Sequence, residues 1–261
     1  MAIHDGLSYS LWIPNRDRTP RAGVVTLHGA GSCKENHHDF ARAALGTGLA
    51  VIAFDQRGHG SSKGRMDARV LDDVAAMVGL LRSCTGGAVF PVALRGSSMG
   101  GYLAILAAPL VDAQAVVAIC PASAAGLRRG LINGSFEFEA DVAELERFLE
   151  ANELYPAVES LSIPLLLLHA EGDERVPVEH SRELARRART SQSRLITVPG
   201  GHHRSVQHDP DLQAISLRWI TRVLAPGPAS SIDLTWRPGS VTAAQRANDP
   251  RDGIRLVGRT T

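Results

Sequence analysis

Apolar residues along the chain fall into short unbroken runs, and the stretches between them carry a helical period. Val24-Val25-Thr26-Leu27, Ala50-Val51-Ile52-Ala53-Phe54, Val92-Ala93-Leu94, Ala115-Val116-Val117-Ala118-Ile119 and Leu165-Leu166-Leu167-Leu168 are runs of this kind, as expected of strands buried on both faces. Between them the spacing predicts helices over about 36–48, 67–83, 102–108, 178–190 and 210–224. Leu7 to Ile13 alternates enough for an edge strand, closed by Pro14 and the polar turn after it, and Arg194 to Val198 makes a last strand. Strands that alternate with helices predict an α/β fold: a mostly parallel central sheet with helices on both faces.

Two segments break this rhythm. The stretch of about 122–162 carries Arg128-Arg129, Phe136 and Phe138, then one amphipathic helix with Val142, Leu145, Phe148 and Leu149 at helical spacing. It follows the carboxyl end of a strand, so it is expected as a lid inserted into a domain that spans 1–225. From residue 226 proline, glycine, serine and arginine replace apolar periodicity, and 226–261 is expected to be an extended or disordered tail.

Charge and cysteines narrow the partners. Formal net charge is +1 and no basic stripe interleaves with aromatics, so no nucleic-acid partner is expected. The opening Met1 to Gly6 lacks the basic and apolar parts of a signal peptide, and the most apolar stretch, Leu103 to Cys120, is interrupted by Pro109, Asp112 and Gln114. No membrane partner is expected. Cys33, Cys84 and Cys120 are odd in number and widely spaced, against both a disulfide framework and a zinc cluster, which points to a reducing, cytoplasmic compartment. The oligomeric state stays open.

Candidate chemistry gathers just past the strands' carboxyl ends, where sites form in open parallel sheets. Gly96-Ser97-Ser98-Met99-Gly100 lies between an apolar strand and a helix-forming run. A serine at such a turn is lifted off the strand end, and the helix behind it aims free N–H groups at developing negative charge. His28-Gly29-Ala30-Gly31 follows another strand and can present the Ala30 N–H to a substrate oxygen. Asp55-Gln56-Arg57-Gly58-His59-Gly60-Ser61-Ser62 reads as a structural loop held by local polar pairing. A carboxylate-bearing loop, His169 to Pro177, follows a later strand, and Gly200-Gly201-His202-His203 follows the last one. The order is serine, acid, histidine. The other histidines have blander readings: His37 and His38 as polar surface at a helix start, His169 as a satisfied structural residue, His180 and His208 as exposed. Cys33 and Cys120 are expected near the site's edge.

With these residues in hand, the chain resembles the α/β-hydrolase superfamily from about residue 7 to 224. Within it the chain is similar to the small serine hydrolases grouped with monoacylglycerol lipases, serine aminopeptidases and dienelactone-hydrolase-like esterases; dienelactone hydrolases proper carry a cysteine nucleophile where this chain has serine. The resemblance implies Ser98 as nucleophile and Asp173 as the acid, with Glu174 and Glu171 as rivals. It implies His203 as base, with His202 as the alternative, and an oxyanion site made by the N–H groups of Ala30 and Met99. No metal and no organic cofactor is called for.

The function expected from this array is hydrolysis of a small-to-medium carboxylic ester through an acyl-enzyme on Ser98. The same chemistry also fits a thioesterase or acyltransferase, with Arg128 and Arg129 available to an anionic carrier. A non-catalytic ligand-binding protein on the same fold is the alternative of another class. A peptidase is disfavoured, because the insertion offers no obvious acidic anchor for a peptide amine.

Overall fold

The computed structural model describes residues 2–14 and 19–225, so the expected tail lies outside the described residues. In chain order the elements begin with β1 (Ala2–His4), β2 (Leu7–Trp12), β3 (Ala22–Leu27), a 3₁₀ turn (Lys34–His37), α1 (His38–Gly46), β4 (Leu49–Phe54) and α2 (Val70–Cys84). Next come β5 (Val92–Ser97), α3 (Met99–Ala107), β6 (Ala115–Ile119), α4 (Ala124–Ile132), α5 (Val142–Ala151) and α6 (Leu154–Ser160). The last are β7 (Leu165–Ala170), α7 (Val178–Arg187), β8 (Arg194–Val198), α8 (Ser205–His208) and α9 (Pro210–Val223).

The strands form one sheet in the order β1-β2-β4-β3-β5-β6-β7-β8. From β4 to β8 every pairing is parallel; β2 joins β4, and β1 joins β2, antiparallel. The expected α/β class is therefore present, with one correction at the edge. β2 is not the edge strand, because Ala2–His4 pairs along its outer side. Three residues are too few to show a period.

Continuous apolar strands bury both faces. Leu27, Ile52, Leu94 and Leu167 join a core closed by α2, α3 and the helices after β6. Val24, Val51, Ala93 and Val117 join a second core with Phe40 of α1 and Trp219 of α9. The chain runs outward from β3 to β4 and then returns to β5 on β3's other side. The carboxyl ends of β3 and β5 thus flank the point where the chain reverses direction across the sheet, the crevice in which such folds bind ligands.

The insertion differs from expectation. It holds three helices, α4, α5 and α6, rather than one, with α4 packed on α5 and α6 on α7. Its distal strand-like segment is clasped by the loop after β4, where the Met66 N–H donates to Glu139 O at 2.8 Å and the Asp141 N–H to Met66 O at 2.8 Å.

Candidate active site

β5 runs straight into Ser98, which stands at φ 54° and ψ −117°, a conformation that non-glycine residues rarely adopt. The turn is held from outside: the Ser98 N–H donates to Ile119 O at 2.8 Å, and the Ala122 N–H donates to Ser98 O at 3.1 Å. Its tightness explains the glycines. A Cβ at Gly96 would sit 2.0 Å from Gly100 O, and one at Gly100 would sit 2.1 Å from Leu27 O. Met99 opens α3, so its N–H has no intrahelical partner and lies beside the serine. The Ala30 N–H, also without a partner among the described residues, comes from the loop across the crevice.

That loop is fixed from below by a histidine whose role the sequence did not disclose. The Gln56 N–H donates to His28 Nε2 at 3.0 Å, so the proton sits on Nδ1, which donates to Gly29 O at 2.8 Å. Burial, and then His59, lowers the His28 pKa to about 3, so the ring is neutral. The loop after β4 is structural, as its composition suggested. Asp55 accepts from the Lys34 N–H at 2.8 Å, Lys34 Nζ at 2.7 Å and the Ser61 N–H at 2.9 Å; Arg57 pairs with Asp73, and His59 stacks on Phe138.

On the other side of the serine the loops after β7 and β8 lie against each other. The Glu171 N–H donates to Val198 O and the Gly172 N–H to Gly200 O, both at 2.8 Å. This brings His203 Nδ1 within 2.7 Å of Asp173 Oδ2. The other carboxylate oxygen accepts from the Arg175 N–H at 2.8 Å and the Val176 N–H at 2.9 Å, and His169 Nε2 lies 3.3 Å from Oδ2. Burial alone would raise the Asp173 pKa; the hydrogen bonds from His169, His203 and the Val176 N–H outweigh it and hold the carboxyl well below the usual range.

Of the two neighbouring histidines only His203 meets Asp173; His202 Nδ1 accepts from the Arg204 N–H at 3.4 Å. Glu174 accepts from the His203 N–H, and Glu171 pairs with Arg182, so neither rival acid reaches the His203 ring. Cys120 lies behind this pair, its sulfur within 4.8 Å of ligand atoms of Asp173 and His203, and burial pushes its thiol up. Cys33 does not line the cavity.

Ser98 and His203 line one cavity of about 870 Å³, though no hydrogen bond joins their side chains. The insertion contributes Leu127, Phe136 and Tyr155, and beneath Leu127 and Phe136 an apolar recess runs between Met99, Tyr102 and Phe148. Arg129 lines the cavity; Arg128 does not, being paired with Glu146 and Glu150. Glu153 lines it too, so an acidic group is present where none was expected. The outlying histidines also need correction. His37 is buried against Arg95 and His38 packs on Trp12. His180 is half-buried beside Tyr155, with a pKa lowered to about 4 by burial and then by His169. His208 is exposed, as expected, and bonds Asp39.

Residues 18–143 match the family model described as serine aminopeptidase, S33. A monoacylglycerol lipase of Mycolicibacterium smegmatis is 27% identical over 253 residues, covering 79% of this chain and 89% of the relative. Human monoglyceride lipase is 41% identical over 95 residues, covering 34% of this chain and 31% of its own length. Among solved structures, Est1E from Butyrivibrio proteoclasticus with ferulic acid bound superposes with a TM-score of 0.67 at 20% identity, covering 82% of this chain and 96% of that one. The monoacylglycerol lipase of Paleococcus ferrophilus superposes with a TM-score of 0.64 at 21% identity, covering 84% and 98%.

Proposed function

From the premise that this chain belongs to the α/β-hydrolase superfamily, as a serine hydrolase of carboxylic esters, we propose that a Ser98-Asp173-His203 triad cleaves a small-to-medium ester through an acyl-enzyme. The observation that carries this reading is the 2.7 Å contact between His203 Nδ1 and Asp173 Oδ2, across one cavity from a serine held on a strained turn.

In the first step His203 Nε2 takes the Ser98 proton as Oγ attacks the carbonyl carbon. Asp173 keeps the ring in the tautomer whose Nε2 is free to accept, and stabilises the imidazolium that forms. The carbonyl oxygen becomes an oxyanion facing the N–H groups of Ala30 and Met99, each worth about 3 kcal/mol of barrier. His203 then returns the proton to the leaving alcohol. Water, activated by the same imidazole, releases the acid and frees Ser98. No step calls for a metal or an organic cofactor.

The 122–162 insertion serves as a lid over the acyl side. A cavity of about 870 Å³, walled in part by Leu127, Phe136 and Tyr155, supports a substrate of modest size. Small-molecule esters, monoacylglycerols among them by analogy with the relatives, are the substrates to try. Arg129 keeps the thioester alternative in the panel. Among the described residues no helix is long and apolar enough to cross a membrane, and three free cysteines support a cytoplasmic setting.

The test is hydrolysis of aryl esters of increasing acyl length, monoacylglycerols and acyl-coenzyme A thioesters by the native protein and by Ser98→Ala. The native protein should favour short to medium oxygen esters, and the substitution should lower kcat by about a millionfold. Turnover that survives in Ser98→Ala rejects the mechanism, and faster thioester than ester cleavage replaces the substrate class.

A further inference from the structure

Three residues before Ser98, strand β5 carries a charge that the proposed chemistry does not use. Arg95 is 1% exposed, on the sheet face that packs α1 and α9, where Ala93 is its apolar neighbour along the strand. Its guanidinium lies 4.0 Å from the centre of the Phe40 ring. One arm of the fork, Nη1, meets His37 Nδ1 at 3.3 Å, and the other, Nη2, donates to the backbone oxygen of Gln207 at 3.2 Å. The Nε has no partner, and no carboxylate among the described residues is within ion-pair distance. Asp39 acts on Arg95 only through space, and its own carboxylate is engaged by His208 at 2.9 Å and Gln213 at 2.7 Å. Burial lowers the Arg95 pKa to about 10, which leaves it charged, and holds His37 neutral, so that Nδ1 accepts.

A guanidinium buried without a carboxylate is an expensive way to fill a core, and an apolar residue of similar volume often serves stability as well or better. The reason for an arginine lies in what its two arms hold. Gln207 is four residues after His203, and His37 ends the turn that follows the Ala30 loop. The Gln207 side chain continues the link by donating to Asn36 O at 2.8 Å. One side chain thus joins the strand of the nucleophile, the segment after the oxyanion loop and the segment after the base.

We propose that Arg95 is a positioning residue, whose fork sets the distance across which His203 reaches Ser98. This rests on His203 being the base. A misplacement of about 1 Å at a reacting group costs about a hundredfold in rate, so the effect belongs in kcat.

Arg95→Met keeps the volume and removes the fork. Its melting temperature should equal or exceed that of the native protein. Its kcat for a p-nitrophenyl ester, per site titrated with a fluorophosphonate, should fall by about ten- to a hundredfold with KM little changed. Arg95→Lys, which keeps the charge but not the two-armed geometry, should fall between. A folded Arg95→Met with native kcat, a loss explained wholly by fewer titratable sites, or a rise in KM alone overturns the proposal. If Arg95→Met does not fold, Arg95→Lys decides, and a native kcat there overturns it. His203→Ala, assayed alongside, separates the two levels. Native turnover in His203→Ala rejects the base assignment and this inference with it, whereas an inactive His203→Ala beside a normal Arg95→Met discards Arg95 alone.

Discussion

Asp55 and Asp173 occupy matching places, each just past the carboxyl end of a parallel strand, and each has a fully buried side chain. They differ in what faces them. Asp55 is closed by the ammonium of Lys34 and by two backbone N–H groups, a fixed cation with no route to the cavity. Asp173 also receives two backbone N–H groups, but its remaining partners are imidazoles, and one of them lines the cavity beside Ser98. A lysine keeps its proton through the working range of an esterase, whereas an imidazole takes and releases one there. The same residue type at the same kind of site is scaffold in one case and, in the proposed mechanism, chemistry in the other. The partner decides which.

The comparison is most exposed to a pair of isosteric substitutions. Asp173→Asn should lower kcat by about ten-thousandfold, the usual consequence of losing the acid that fixes the base's tautomer, with some loss of stability too, because the fold holds this carboxyl's pKa low. Asp55→Asn should act chiefly on stability. It leaves the Lys34 ammonium buried with only the exposed Glu35 as an acid partner, so denaturation should show a loss of about 3 kcal/mol, with kcat per titrated site far less affected than in Asp173→Asn. If the two phenotypes were exchanged, the assignment of scaffold and chemistry would be reversed.

A smaller effect sharpens the scaffold side. His28 is neutral in the fold down to about pH 3, but in the unfolded chain it takes a proton near its ordinary value of 6.5. Between those values the unfolded state binds the extra proton, so stability present above pH 6.5 is lost as pH falls toward 3. At pH 5 this amounts to about 2 kcal/mol. His28→Gln, whose amide oxygen reaches the place of Nε2 and can accept the Gln56 N–H, should flatten the fall in melting temperature between pH 7 and 5. A slope equal to that of the native protein would place the acid sensitivity elsewhere.

Much of the candidate site was legible because its members sit in the loops that follow strands. Ser98 and Asp173 each follow a strand that its continuous apolar sequence announces, His203 follows the mixed strand Arg194–Val198, and parallel strands place their carboxyl ends on one edge. What stayed hidden is of two kinds. α8 and β1 are too short to show a period, and α4 and α6 lie in a segment whose polar and apolar positions read as a loop around one helix. The second kind is long-range polar pairing. Arg95 meets partners 58 and 112 residues away, and Gln213 meets Asp39 across 174 residues. Nothing within a few residues of Arg95 records those contacts. In the sequence it stands between the apolar run Val92-Ala93-Leu94 and Gly96, whereas in the fold it is buried among the segments that carry the candidate site.

The central claim is that turnover passes through an acyl group on Ser98. The most direct test is mass spectrometry of the protein quenched in acid during turnover of p-nitrophenyl butyrate, with peptide mapping of any adduct. The account predicts a single butyryl group on Ser98, absent in Ser98→Ala and in His203→Ala. Measurable turnover with Ser98 unmodified, or an adduct on another residue that persists in a still active Ser98→Ala, would contradict it.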